Sequence, residues 1–176
     1  AKTSGASDTA NIADFKIASK TDGALAATST AVNVVEDFGN VVVDDNATKS
    51  ITTITLDGFD DAILGATAPA ATSSLDKLAT LNLANSTGTT TLTSTVATLN
   101  VNVDGMAGIV DLASNADIST LNLNATGTAS KITLKADAVD LTIAAAADLV
   151  IATGSALTTL ENVTIKGAGA VNLGVI

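Results

Sequence analysis

The sequence predicts an all-β fold: a parallel β-solenoid (β-helix) of about eight coils, with a repeat of about 21 residues. Three observations predict it. A phrase with apolar residues at its first, fourth and sixth positions recurs down the chain, as in Ile118-Ser-Thr-Leu121-Asn-Leu123. A second, shorter apolar triplet recurs in step with it. Turn-forming residues fill the gaps between the two.

The first series begins at 12–17, with Phe15 in its fourth position. It continues with Val32, then with the phrases at 51–56, 78–83, 96–101, 118–123, 138–143 and 160–165. Their fourth positions are Ile54, Leu81, Leu99, Leu121, Leu141 and Val163. The last two apolar residues of each phrase straddle one polar residue, which is strand alternation. The second series reads Val41-Val-Val43, Ala62-Ile-Leu64, Thr90-Thr-Leu92, Val110-Asp-Leu112, Ile132-Thr-Leu134, Leu149-Val-Ile151 and Val171-Asn-Leu173. Two series with nearly the same period are far harder to obtain by chance than one. The gaps hold Asn85-Ser-Thr-Gly88, Asp104-Gly105, Asn124-Ala-Thr-Gly127 and Gly167-Ala-Gly169. These residues adopt positive φ or bond their own backbone. One strand–turn–strand–turn unit cannot bury its apolar face, but stacked units can.

A leucine-rich repeat fits the Leu-x-x-Leu-x-Leu phrase, but here the Asn positions are irregular and the second half of each unit is Thr-rich and β-branched, which favours strand. Residues 1–50 repeat most loosely and carry dense acids. They read as looser coils or a cap, with a β-sandwich as the alternative for that part. Residues 51–176 read as regular solenoid. The segment 65–74, with the only Pro, reads as a loop bulging from the stack. The chain ends inside a strand-like run, so a piece of a longer protein is expected.

Composition agrees with thin stacked layers. The hydrophobic fraction is 47% but only 2% of residues are aromatic, so the core is expected to be built from Val, Ile, Leu and Ala. There is no Cys, His, Trp, Tyr or Arg. Imidazole and thiol catalysis, the usual zinc sites and disulfides are therefore excluded. The net charge of −10, without Arg and with three Phe as the only aromatics, argues against nucleic-acid binding. No apolar run reaches membrane-spanning length, so no direct membrane insertion is expected.

The acids suggest calcium. Asp57-Gly-Phe-Asp60-Asp61 is the densest cluster, and Asp44-Asp45-Asn46 is a second. Closely spaced oxygen ligands around Gly suit a hard cation, although neither cluster matches the twelve-residue helix–loop–helix pattern. Asp57, Asp60, Asp61, Asp44 and Asp45 are the candidate ligands, with solvated turn acids as the alternative. A paired-carboxylate glycosidase site is conceivable on this architecture, but it lacks aromatic or cationic substrate contacts, and no enzyme is expected. Thr89-Thr-Thr-Leu-Thr-Ser-Thr95 raises an ice-binding Thr row, yet the Thr positions do not fall in register along the repeat. Lys131, Lys135 and Lys166 read as strand-edge lysines that deter edge pairing.

The Ala/Thr/Asn/Asp-rich, Cys-free composition and phrases such as Ser119-Thr-Leu-Asn-Leu123 and Leu157-Thr-Thr-Leu-Glu-Asn-Val-Thr-Ile165 resemble bacterial surface-layer proteins and large secreted adhesins of the RTX type. The resemblance implies an exported, extracellular protein of the cell surface that binds calcium and assembles with copies of itself. The glycine–aspartate nonapeptide of that family is absent, so its calcium sites transfer to no residue here. The function expected is a structural, non-enzymatic surface segment. The alternative is an adhesin or phage-fibre module recognising glycan or another surface. Within the stack, Leu121→Asp is expected to unravel the core locally and Asn122→Asp to be mild.

Overall fold

A computed structural model describes residues 14–18, 31–35, 40–44, 51–65, 74–113 and 117–174 of the 176-residue chain. Fifteen strands follow one another with no helix among these residues: β1 (Asp14–Ala18), β2 (Ala31–Val35), β3 (Asn40–Asp44), β4 (Thr53–Asp57), β5 (Ala62–Leu64), β6 (Thr80–Ala84), β7 (Thr89–Leu92), β8 (Thr98–Asp104), β9 (Ile109–Asp111), β10 (Thr120–Ala125), β11 (Ser130–Lys135), β12 (Asp140–Ala145), β13 (Leu149–Ile151), β14 (Asn162–Gly167) and β15 (Val171–Leu173). From β2 onward the even strands form a seven-stranded sheet and the odd strands, with β1, an eight-stranded sheet. All the pairings between strands are parallel. The fold is the expected parallel β-solenoid. In place of eight full coils, the described residues give seven even–odd strand pairs and the single strand β1.

Alternation fixes which side chains enter the core. In β4, β6 and β10 every second residue is buried, and its neighbours are half-exposed. Ile54, Leu56, Leu81, Leu83, Leu99, Val101, Val103, Leu121, Leu123, Leu141 and Ile143 line the seven-stranded side of one continuous core. Leu64, Leu92, Val110, Ile132, Leu134, Leu149 and Ile151 line the other. Phe59 and Met106 add bulk where turns enter the stack. Each fully buried aliphatic side chain contributes about 1.5–3 kcal/mol of transfer free energy, so the column of such residues, not any one of them, holds the coils together.

The register departs from the sequence phrases in three places. β1 pairs with β3, so Phe15 stands opposite Val41 and belongs to the second series rather than the first. Between β6 and β8 the phrases slip by two residues: Leu81 opposes Val101, not Leu99. In the other sheet β11 divides its partners. Residues 133–135 pair with β9, placing Leu134 against Val110, while residues 130–132 pair with β13, placing Ile132 against Ile151. A slip of two keeps each side chain on its own face, because the side-chain period of a strand is two. The aliphatic columns therefore tolerate it.

The described strands of residues 1–50 join the same sheets, β2 against β4 and β3 against β5. Most of the predicted bulge at 65–74 lies outside the described residues. Lys131 and Lys135 are not on an edge strand, since β11 lies between β9 and β13. Lys135 Nζ instead pairs with Asp111 Oδ2 at 3.2 Å, a half-exposed pair worth less than about 1 kcal/mol. Lys166 alone of the three lies on an edge strand, β14.

Candidate interaction surfaces

The outward side chains of the seven-stranded sheet stand in two columns. One holds Thr53, Thr80, Asn100, Asn122, Thr142 and Thr164. The other holds Thr55, Asn82, Asn102, Asn124, Ala144 and Lys166. Thr shares both columns with Asn, so this face carries no regular Thr row, in line with the sequence expectation. The two-residue slip at β8 sets Asn100, rather than Thr98, beside Thr80 and so interrupts the Thr run of that column.

The asparagines bond to each other along the stack. Asn124 Nδ2 donates to Asn102 Oδ1 at 2.7 Å, Asn102 Nδ2 to Asn82 Oδ1 at 2.6 Å, and Asn82 Nδ2 to Thr55 Oγ1 at 2.9 Å. In the neighbouring column Asn122 Nδ2 donates to Asn100 Oδ1, and Asn100 Nδ2 to the Ala79 carbonyl, each at 3.0 Å. Strands about 4.8 Å apart set amide next to amide. All these amides point the same way, so each polarises the next. Shallow depressions break the face among the described residues. One, of about 430 Å³, is bordered by Thr55, Asp57, Asn82, Asn102, Asp104 and Thr126. Another, of about 650 Å³, opens where Ala144 interrupts the asparagine column, between Asn124 and Lys166.

Turns after the even strands need a left-handed residue. Gly58, Gly105, Gly127 and Asn85 supply it at corresponding places in successive coils. Asn85 is the one non-glycine among them, and its side chain is held: Nδ2 donates to Asp57 Oδ1 at 2.6 Å. At the turns before the odd strands the coils approach more closely still. A Cβ on Gly108 would collide with the Gly88 carbonyl oxygen.

The described acids predicted to bind calcium stand at strand ends and in the turns that follow them. Asp57 ends β4, borders the smaller depression and accepts from Asn85. Asp60 is exposed, and its carbonyl accepts from Ser86 Oγ at 3.2 Å. Asp61 Oδ1 accepts from the Thr89 backbone N–H at 2.6 Å, one coil onward. Asp44 ends β3, and Asp45 lies outside the described residues. Among the described residues no three acids gather as a group that could hold a metal ion.

Asp104 and Asp148 repeat the task of Asp61: Asp104 Oδ1 accepts from Thr128 N at 2.6 Å and Asp148 Oδ1 from Ala170 N at 2.8 Å. The sequence placed Asp104 in a turn but gave no sign of its bond to the next coil, and it singled out neither Asp148 nor the asparagine ladders. The doubled Asn in Leu99-Asn-Val-Asn102 and Leu121-Asn-Leu-Asn124 was the available signal for the ladders. Comparison with known proteins adds no relative: no family model, no curated protein and no solved structure matches this chain.

Proposed function

We propose that this chain is a structural, non-enzymatic part of a bacterial cell-surface layer, which assembles outside the cell through contacts between copies, with calcium assisting. The observation that carries the proposal is where the polar side chains go. Asparagine amides, turn carboxylates and the Ser86, Ser94 and Ser130 hydroxyls bond other segments of the stack. Side-chain bonds along the stack reinforce the parallel ladders and suit a rod that resists bending and proteolysis.

Calcium enters through charge. Copies carrying −10 repel one another, and a divalent cation relieves that repulsion at short range. Asp57, Asp60, Asp61, Asp44 and Asp45 remain the candidate ligands. Acidity without Arg also leaves nucleic acid a poor partner. No helix among the described residues is long and apolar enough to cross a membrane.

A second reading is a binding module, an adhesin or phage-fibre segment that recognises glycan. The larger depression favours it, since an alanine floor beside amide and ammonium groups suits the apolar face and hydroxyls of a sugar. Negative-stain microscopy with calcium and then with chelator tests the first reading. Ordered sheets or fibres that disperse with chelator are expected. Monomers that bind glycans and never form arrays would transfer the function to the second.

A further inference from the structure

The outer face of the seven-stranded sheet is an uncharged side of an acidic chain. The two central outward columns of β4, β6, β8, β10 and β12 hold Thr, Asn and one Ala, with no acid and no base. The eight-stranded sheet instead turns Asp111, Lys131 and Lys135 outward. These five strands lie inside the stack, each with a neighbour on both sides. Along the ladders each of Asn82, Asn100 and Asn102 spends one N–H and one lone pair. Each amide keeps a second N–H and a free lone pair.

Resting on the self-assembly reading, we infer that this face packs against the same face of a second copy, about a two-fold axis that runs along the stack between the two columns. Three features single out a copy as the occupant. The first is charge. Copies of net charge −10 repel, and they approach at least cost through columns that carry no carboxylate. Asp57 and Asp104 lie on one flank of the face and Asp140 on the other, each in a different coil. The rotation therefore sets no carboxylate opposite another.

The second is period. The donors and acceptors of this face repeat at the strand spacing of about 4.8 Å, and a partner that meets them over several coils needs the same spacing. A second copy has it, and like ladders interdigitate between paired sheets. The third is self-complementarity, which a two-fold contact requires. With the stacks running parallel, Asn100 faces Asn102 of the partner subunit and Asn122 faces Asn124 of the partner subunit, so the second N–H of one amide meets the free lone pair of the other. Thr142 of the partner subunit stands over Ala144, where the face is hollow. Five strands at about 4.8 Å, with six residues of each at about 3.3 Å, present roughly 480 Å² per copy. The pair buries about 1,000 Å², the lower end of specific interfaces, and gains strength when other contacts hold the copies in an array.

The chain has no cysteine, so a single introduced thiol reports proximity cleanly. Facing sheets pack about 10 Å apart, which puts a thiol at 142 within the span of a short bismaleimide from its equivalent in the partner. Thr80→Cys and Thr142→Cys, three strands apart in one column, each link to themselves only if the stacks run parallel. Thr133→Cys, outward on the opposite sheet, is the control. Dimer is followed by denaturing electrophoresis over a protein concentration series. Both test variants should form dimer at least roughly tenfold faster than the control, through the raised effective concentration. Adding Ala144→Glu, at an outward half-exposed side chain, should remove most of the advantage of Thr142→Cys with the circular dichroism unchanged. Adding Thr91→Glu, outward on the opposite sheet, should leave it intact.

Rates equal to the control, linkage at only one of the two positions, or no effect of Ala144→Glu would overturn the pairing. Sedimentation of the unmodified chain with and without calcium separates the two levels. Larger species alongside equal cross-linking rates would sink the face pairing alone. A monomer at every concentration would sink the self-assembly reading with it.

Discussion

Thr90 sits in the aliphatic column of the eight-stranded sheet, between Ala62 on β5 and Val110 on β9. It is fully buried, and its Oγ1 has no hydrogen-bond partner. A buried hydroxyl without a partner costs about 1–3 kcal/mol of desolvation, and replacing it by an apolar group of the same shape returns that cost. Thr90→Val swaps the hydroxyl for a methyl of nearly equal volume, on a residue type that suits a strand equally well. A gain of about 1–2 kcal/mol is expected. For a chain of this length 1 kcal/mol shifts Tm by about 2–4 °C, so thermal unfolding should move up by about 2–8 °C. Because repeat stacks open locally, hydrogen exchange at β5, β7 and β9 should slow more than exchange at β12. Thr91→Val, one residue along on the half-exposed outer face, should change Tm by less than about 1 °C. Thr90→Ala also removes a methyl and should fall below Thr90→Val by about 1–2 kcal/mol through the cavity it leaves. A lowered Tm for Thr90→Val would refute the reasoning, because it would mean the hydroxyl is bonded in solution.

Three further outcomes are expected. Leu121→Asp places a carboxylate among Leu99, Leu123 and Leu141 and should cost more than about 3 kcal/mol, whereas Asn122→Asp removes the donor to Asn100 Oδ1 and should cost about 1–2 kcal/mol rather than being mild. Equal Tm values for the two would show the register to be wrong. Gly108→Ala forces the Gly88 backbone away and should cost about 1–3 kcal/mol, while Ala107→Ser next to it, on an exposed residue, should change urea midpoints very little. Asp104→Ala uncaps the Thr128 N–H and should cost about 1 kcal/mol, and Asp104→Asn, which keeps an acceptor oxygen, should restore most of it. Exchange at the Thr128 amide distinguishes the two.

The candidate surfaces were only partly legible in the sequence. Asp57, Asp60 and Asp61 stood out because they are close along the chain, yet in the next coil the Asp57 and Asp61 carboxylates accept from Asn85 and Thr89, and the Asp60 backbone carbonyl from Ser86. Clustering along a sequence says little about which group of the next coil a turn carboxylate will meet. The pairing of asparagines within the ladders was hidden for a related reason. Asn82 and Asn102 share a column only because β8 is displaced by two residues against β6. Aligned by their phrases, Leu81 with Leu99, the same columns would set Asn82 beside Asn100 and leave Asn102 opposite Ala84.

What the sequence alone determined is the face of each residue. Alternation in Thr80-Leu-Asn-Leu-Ala84 or Thr120-Leu-Asn-Leu-Asn-Ala125 assigns Leu to the core and Asn to the outside, and burial follows that assignment strand by strand. The existence of coils, their approximate period and the parallel stacking follow as well, because a unit with one apolar side has no other place to bury it. What only the tertiary structure decided is the register of each coil on the next, including the transfer of Phe15 to the other series and the divided pairing of β11. The reason is the period of two. An aliphatic column gains the same burial from a displacement of zero or of two residues, so hydrophobicity cannot choose between them. The choice falls to contacts that exist only between coils: glycines such as Gly108 that admit a neighbouring carbonyl, carboxylates such as Asp104 that reach one backbone N–H of the next turn, and amides that bond only when stacked directly over one another.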